Sequence, residues 1–140
     1  MASTDAASAK RRPRPLSPHL LIYKFTITMT MSIVHRICGA GLYVGVLLLA
    51  WFLIAASTDA KAFSVFTWFI SSIIGQLVLL GFTWALFTHL FGGIRHFIWD
   101  EGYGLEEPIR DYLAWATLAF GLGLTVVVWA IGCFIWYGGL

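Results

Sequence analysis

Three long apolar stretches leave this chain of 140 residues little choice of fold. They run from about Ile33 to Ala56, from Phe66 to Ile94 and from Leu113 to Tyr137. Each is long enough to cross about 30 Å of hydrocarbon as a helix of roughly 20 residues. Composition agrees, because 59% of the residues are hydrophobic and only 11% are charged, far from the balance of a soluble domain. The expected fold is an all-α integral membrane protein with three transmembrane helices. Residues 1–31 form an N-terminal segment and residues 32–140 one membrane domain. Three such helices offer little room to enclose a cofactor or a substrate alone, so a partner subunit is expected.

Aromatic residues mark the ends of the spans. Trp51, Trp68, Trp99, Trp115, Trp136 and Tyr137 all fall near predicted boundaries, where amphipathic rings anchor at headgroup level. Lys10, Arg11, Arg12, Arg14 and Lys24 precede the first span, whereas the first connection holds Lys61 beside Asp59. The positive-inside rule therefore puts the N-terminus in the cytoplasm or matrix. The second connection, Arg95 to Tyr112, returns to that side carrying Asp100, Glu101, Glu106, Glu107 and Asp111. A net charge of +2 decides little, and no nucleic-acid partner is expected. Residues 1–15 lack the apolar core of a secretory leader. They are short for a mitochondrial leader and read better as a basic disordered tail. The expected location is a bacterial inner membrane, with the mitochondrial inner membrane as the alternative.

Cys38 and Cys133 fall at opposite membrane faces, too far apart to pair, and both read as small buried hydrophobes. Gly39, Gly41, Gly45, Gly121 and Gly123 are read as sites of close helix contact.

Chemistry concentrates in a few polar residues. Ser32, His35 and Arg36 stand at i, i+3 and i+4, so one helical face offers a hydroxyl, an imidazole and a guanidinium. Ionisable groups at such depth are functional candidates, with snorkelling of Arg36 to the headgroups as the plainer alternative. In His89-Leu-Phe-Gly-Gly-Ile-Arg-His96 the two histidines are seven residues apart, about 10.5 Å along a helix. They cannot both bind one iron. His89 is the deeper, and Gly92 and Gly93 remove bulk one turn along, as an axial haem ligand requires. A hydrogen bond between helices is the competing use of His89. His96 reads as an interfacial hydrogen-bonding group. With one deep histidine, a haem ligated by two would take its second ligand from another chain.

Arg14-Pro-Leu-Ser-Pro-His-Leu-Leu-Ile-Tyr23, then Ser32-Ile-Val-His-Arg36 with Gly39, then His89 to His96 followed by Asp100, resemble the cytochrome b membrane-anchor subunits of succinate dehydrogenase, the larger anchor of complex II. The resemblance covers all three motifs in order. It implies a four-subunit succinate:quinone oxidoreductase of the citric acid cycle and respiratory chain. In it a flavoprotein subunit holding FAD oxidises succinate, an iron–sulfur subunit with its clusters passes the electrons on, and two three-helix anchors hold one haem b and reduce ubiquinone. This chain would dock the two soluble subunits and would not touch succinate.

Residue by residue, the resemblance implies that Ser32 and Arg36 bind quinone, that His89 is the axial haem ligand and that His35 and Arg36 meet the haem propionates. The second axial histidine and a quinone-site tyrosine would come from the smaller anchor. Arg95 is added to the propionate set as a suitable charge-assisted donor. His96 and Asp100 belong to the motif without an assigned role. A hydroxyl and a fixed cation suit a carbonyl oxygen that gains negative charge. Pro15 and Pro18 disfavour a continuous helix, so Arg14 to Tyr23 is expected to run extended along the membrane face, against the iron–sulfur subunit or as a plain lead-in.

Two other classes compete. A di-haem carrier would need two deep histidines on different helices. A proton-coupled transporter would be expected to hold a carboxylate within a span, and none is found there. An anchor without cofactor is the more serious rival, against which His89 argues.

Overall fold

The computed structural model describes residues 14–138. Five helices follow in order: α1 (His19–Ile22), α2 (Ile27–Thr58), α3 (Ala60–Ser71), α4 (Ile73–Asp100) and α5 (Ile109–Gly138). Three of them, α2, α4 and α5, are long and apolar enough to cross a membrane. Lys10, Arg11 and Arg12, and most of the stretch read as a basic tail, lie outside the described residues. So does the side chain of Tyr137.

Polar caps divide the helices. Thr26, Asp59 and Ser72 each adopt extended backbone, and each side chain accepts a hydrogen bond from the amide three residues on, at Met29, Ala62 and Gly75. Such a cap satisfies an amide the helix leaves orphaned, at about 1 kcal/mol each. This punctuation corrects the second expected span. The apolar run from Phe66 does not enter a span directly, because Ser72 breaks it, and Phe66 belongs to the separate helix α3. There Phe66 is buried, with its ring 5.1 Å from that of Trp51 and 5.5 Å from that of Phe52. Hydropathy does not register a serine cap between two apolar runs. The other long helices overrun their expected bounds, α2 beginning at Ile27 and α5 at Ile109.

Ahead of α2, a single helical turn interrupts the expected extended stretch. Ser17 accepts from the amide of His19 at 3.2 Å, and Tyr23 returns to extended backbone. Leu16, Leu20, Ile22, Tyr23 and Phe25 are all exposed along it.

Helix α4 packs against both α2 and α5, most extensively against α5. Mostly small residues, with Met31 the large exception, fill the seams. Met31, Cys38, Ala55, Ala85 and Ala114 are buried, as are Thr88, Thr117 and Thr125. The hydroxyls of Thr117 and Thr125 bond back to the carbonyls of Leu113 and Gly121, at 2.8 and 2.7 Å. Lipid gives helices no hydrophobic reason to associate, so close backbone approach does the work and large apolar side chains turn outward.

The glycines expected at contacts divide. A Cβ at Gly45 would stand 1.9 Å from the Phe82 ring, and one at Gly121 would stand 2.6 Å from Thr88 Oγ1. Gly41 and Gly123 face open space, so those two are corrected. The cysteines divide likewise: Cys38 is buried, whereas Cys133 is exposed on α5. The aromatic belt is also mixed. Trp68, Trp115 and Trp136 face outward, but Trp51 packs on Phe66 and Phe69, and the Trp99 indole donates to the Gly104 carbonyl at 3.1 Å. That bond holds the α4–α5 connection, where Gly102 and Gly104 take positive φ of 81° and 72° that favours glycine. An ion pair of Arg110 with Glu107 closes its far side.

Candidate functional site

A cavity of about 520 Å³ lies between the end of α3, α4 and α5, lined by Gln76, Thr83, Trp129, Cys133 and Trp136 among others. It is at the opposite end of the bundle from the histidines. The candidate site is instead the seam between the start of α2 and the end of α4.

Three imidazoles meet in that seam. The rings of His35 and His89 stack with centroids 4.0 Å apart and planes 7° from parallel. His96 approaches His35 from the next turns of α4, at 5.3 Å and 56°. His35 on α2 therefore sits between the two α4 histidines. Spacing on α4 alone says nothing of this, since His35 is 54 residues from His89. Glycines make the approach possible. A Cβ at Gly39 would stand 3.1 Å from His89 Cε1, and one at Gly92 would stand 2.3 Å from His35 Cδ2. The expectation that Gly92 clears space for a macrocycle is thus corrected: Gly92 clears space for His35. Gly93 does face open space.

The His89 Nδ1 lies 3.1 Å from the backbone carbonyl of His35. A carbonyl only accepts, so Nδ1 carries the proton and Nε2 keeps a lone pair. A metal-bound histidine is commonly held this way, its other nitrogen donating to a carbonyl. Among the described residues no three His, Cys, Asp or Glu side chains converge on a metal site. Two rings stacked in parallel do not aim their nitrogens at one ion between them, so His35 and His89 do not offer two ligands to the same metal.

Several polar nitrogens beside His89 lack partners. His35 Nε2 is buried without a hydrogen bond, as are Nε and Nη1 of Arg95. Arg95 is 2% exposed, and its guanidinium lies 4.9 Å from the centre of the Trp99 ring. Buried cationic nitrogens without acceptors are costly unless an anion reaches them. An anionic group that reached these atoms, such as a carboxylate of a haem b, would satisfy them. By helical geometry Arg95 leaves α4 about a third of a turn away from His89, on the α5 side.

The expected face of Ser32, His35 and Arg36 is split. Ser32 is half-buried and Arg36 is exposed, while His35 turns into the seam. The Ser32 and Arg36 side chains stay one turn apart on the outer flank, where a hydroxyl and a cation can address one ligand. His96 is exposed and makes ring contacts, with His35 and edge-on with Trp99 at 5.2 Å. Asp100 is exposed at the last position of α4.

Comparison with known proteins follows the same lines. Residues 10–132 match the family described as the succinate dehydrogenase/fumarate reductase transmembrane subunit. A succinate dehydrogenase cytochrome b556 subunit of Paracoccus denitrificans is 44% identical, over 86% of this chain and 93% of its own length. Its namesake in Rickettsia felis is 38% identical over 83% of this chain and 90% of its own. The cytochrome b560 subunit of Reclinomonas americana is 36% identical over 84% and 85%.

Proposed function

This chain belongs to the succinate dehydrogenase/fumarate reductase transmembrane-subunit family, and from that premise we propose that His89 is one axial ligand of a haem b whose second ligand comes from another anchor chain. The protein is a multi-pass membrane anchor of complex II and a cytochrome b subunit. Its partners there are the other anchor, the iron–sulfur subunit and the flavoprotein subunit. The complex carries electrons from succinate to quinone, and this chain contributes to the quinone end.

The bond from His89 Nδ1 to the His35 carbonyl carries the assignment, because it leaves Nε2 as the free lone pair of the deep histidine. When bound, the haem supplies a one-electron redox centre. His35 and Arg36 at the start of α2 would hold its propionates, the unpartnered Nε2 of His35 donating in the tautomer that carries the proton there. Arg95, over the Trp99 ring, would add a further charge-assisted donor to that set.

Ser32 and Arg36 bind ubiquinone on the outer flank of α2, the hydroxyl donating to a carbonyl oxygen and the guanidinium holding the negative charge that reduction places there. The exposed apolar run Leu16, Leu20, Ile22, Tyr23 and Phe25 docks the iron–sulfur subunit. FAD and the iron–sulfur clusters belong to the soluble subunits. The N-terminus and the α4–α5 connection face the cytoplasm across a bacterial inner membrane, as the basic residues before α2 indicate.

The test is purification of the complex through this chain, with a reduced-minus-oxidised spectrum for the wild type and for His89→Ala. The wild type carries a b-type band and the variant loses it. An unchanged band at normal haem content refutes the ligand assignment.

A further inference from the structure

Tyr43 stands in an unusual place. It lies at the middle of α2, roughly 23 Å from either end by helical rise, yet it is 79% exposed on this chain. Its hydroxyl has no hydrogen-bond partner among the described residues. Tyrosines of membrane helices gather at headgroup level, where the phenol reaches water. A phenol at mid-bilayer facing lipid would leave its hydroxyl unsatisfied, which costs on the order of a kcal/mol or more.

The position of Tyr43 on α2 suggests what satisfies it. Ser32, Arg36, Gly39 and Tyr43 follow at spacings of four, three and four residues, which draws one stripe along the helix. Gly39, one turn nearer the start of α2, is the residue against which the His89 ring packs. Across the seam, Leu86 and Leu90 on α4 flank His89 and are exposed, and Gly93 is open. The stripe thus continues the open side of the His89 site toward the membrane centre. A second ligand to the same iron has to come from outside this chain, so a helix of another chain has to face this side.

We propose that Tyr43 is the deep contact of this chain with the second anchor subunit, its ring packing beside the haem site and its hydroxyl donating to an acceptor on the partner helix. The inference rests on the reading that His89 shares its haem with that subunit. A transmembrane helix with a free carbonyl or a side-chain oxygen at mid-bilayer is the chemistry that fits, because a phenol donates and lipid tails accept nothing.

The experiment uses the intact four-subunit complex in its native membrane, with the photoreactive Tyr43→p-benzoylphenylalanine substitution. Irradiation joins this chain to the second anchor subunit, identified by mass spectrometry. The same probe at Val44, at the same depth and also exposed but about 100° around the helix, yields lipid adducts instead. Lipid adducts at position 43, or adducts with a soluble subunit, overturn the proposal. Tyr43→Phe keeps the ring, and it releases the second anchor about tenfold faster in detergent if one hydrogen bond is lost; an unchanged rate overturns the role of the hydroxyl. In parallel, His89→Ala separates the two readings. A b-type band that persists in that variant refutes the haem ligand, whereas the cross-link at position 43 reports on the interface itself.

Discussion

The imidazoles of His35 and His89 lie 4.0 Å apart and nearly parallel, and the His35 carbonyl accepts from His89 Nδ1 at 3.1 Å. One residue thereby supports the other twice, through its backbone and through its ring. His35→Ala removes the ring but keeps the carbonyl. We expect that variant to retain a b-type band while losing haem about tenfold more readily to an apo-globin acceptor, the low end of the effect of losing support for a ligand. Haem loss as complete as in His89→Ala would show that the ring, and not the carbonyl, holds the ligand.

Gly92 is the tightest point of that support. Any side chain there drives a Cβ to within 2.3 Å of the His35 ring. Gly92→Val should displace His35 and lower haem content at least as much as His35→Ala, while the three helices still insert. Haem content per purified complex is the measurement, and a normal value would contradict the seam geometry.

The α2–α4 seam depends on Gly45 in the same way, further from the site. A Cβ at that position falls 1.9 Å from the Phe82 ring. Gly45→Ala should destabilise the complex by about 1–3 kcal/mol through overpacking, and Phe82→Leu in the same chain should recover part of the loss. Gly41→Ala, whose Cβ meets nothing, serves as the control. Thermal unfolding of the purified complex reads all three, and equal midpoints for Gly45→Ala and Gly41→Ala would refute the contact.

Ser32 and Arg36 are tested by splitting the activity. Ser32→Ala should lower succinate–quinone turnover about tenfold, the scale of a lost hydrogen bond to a charged group, with succinate oxidation by an artificial acceptor intact. Arg36→Lys should lower it as well, because a lysine keeps the charge but not the planar fork of donors. If both activities survive both changes, quinone binds elsewhere.

The membrane class, the three apolar helices and the identity of the polar residues were legible from composition and spacing. The division at Ser72 was not, since hydropathy averages over the cap that separates α3 from α4. The grouping of Ser32, His35 and Arg36 on one face held only as a statement about α2. Packing against α4 pulled His35 into the seam and left Arg36 outside, a choice made by the neighbouring helix. Gly41 and Gly45 look alike in the sequence, yet one is open and the other is filled by Phe82.

By itself, the sequence determined that this chain lives in a membrane and carries a deep histidine at position 89, because hydrophobic run length and residue type are local properties. Only the tertiary structure decided which nitrogen of that histidine is free. The answer depends on a carbonyl 54 residues away in the chain, brought to 3.1 Å by two helices that pack through glycines.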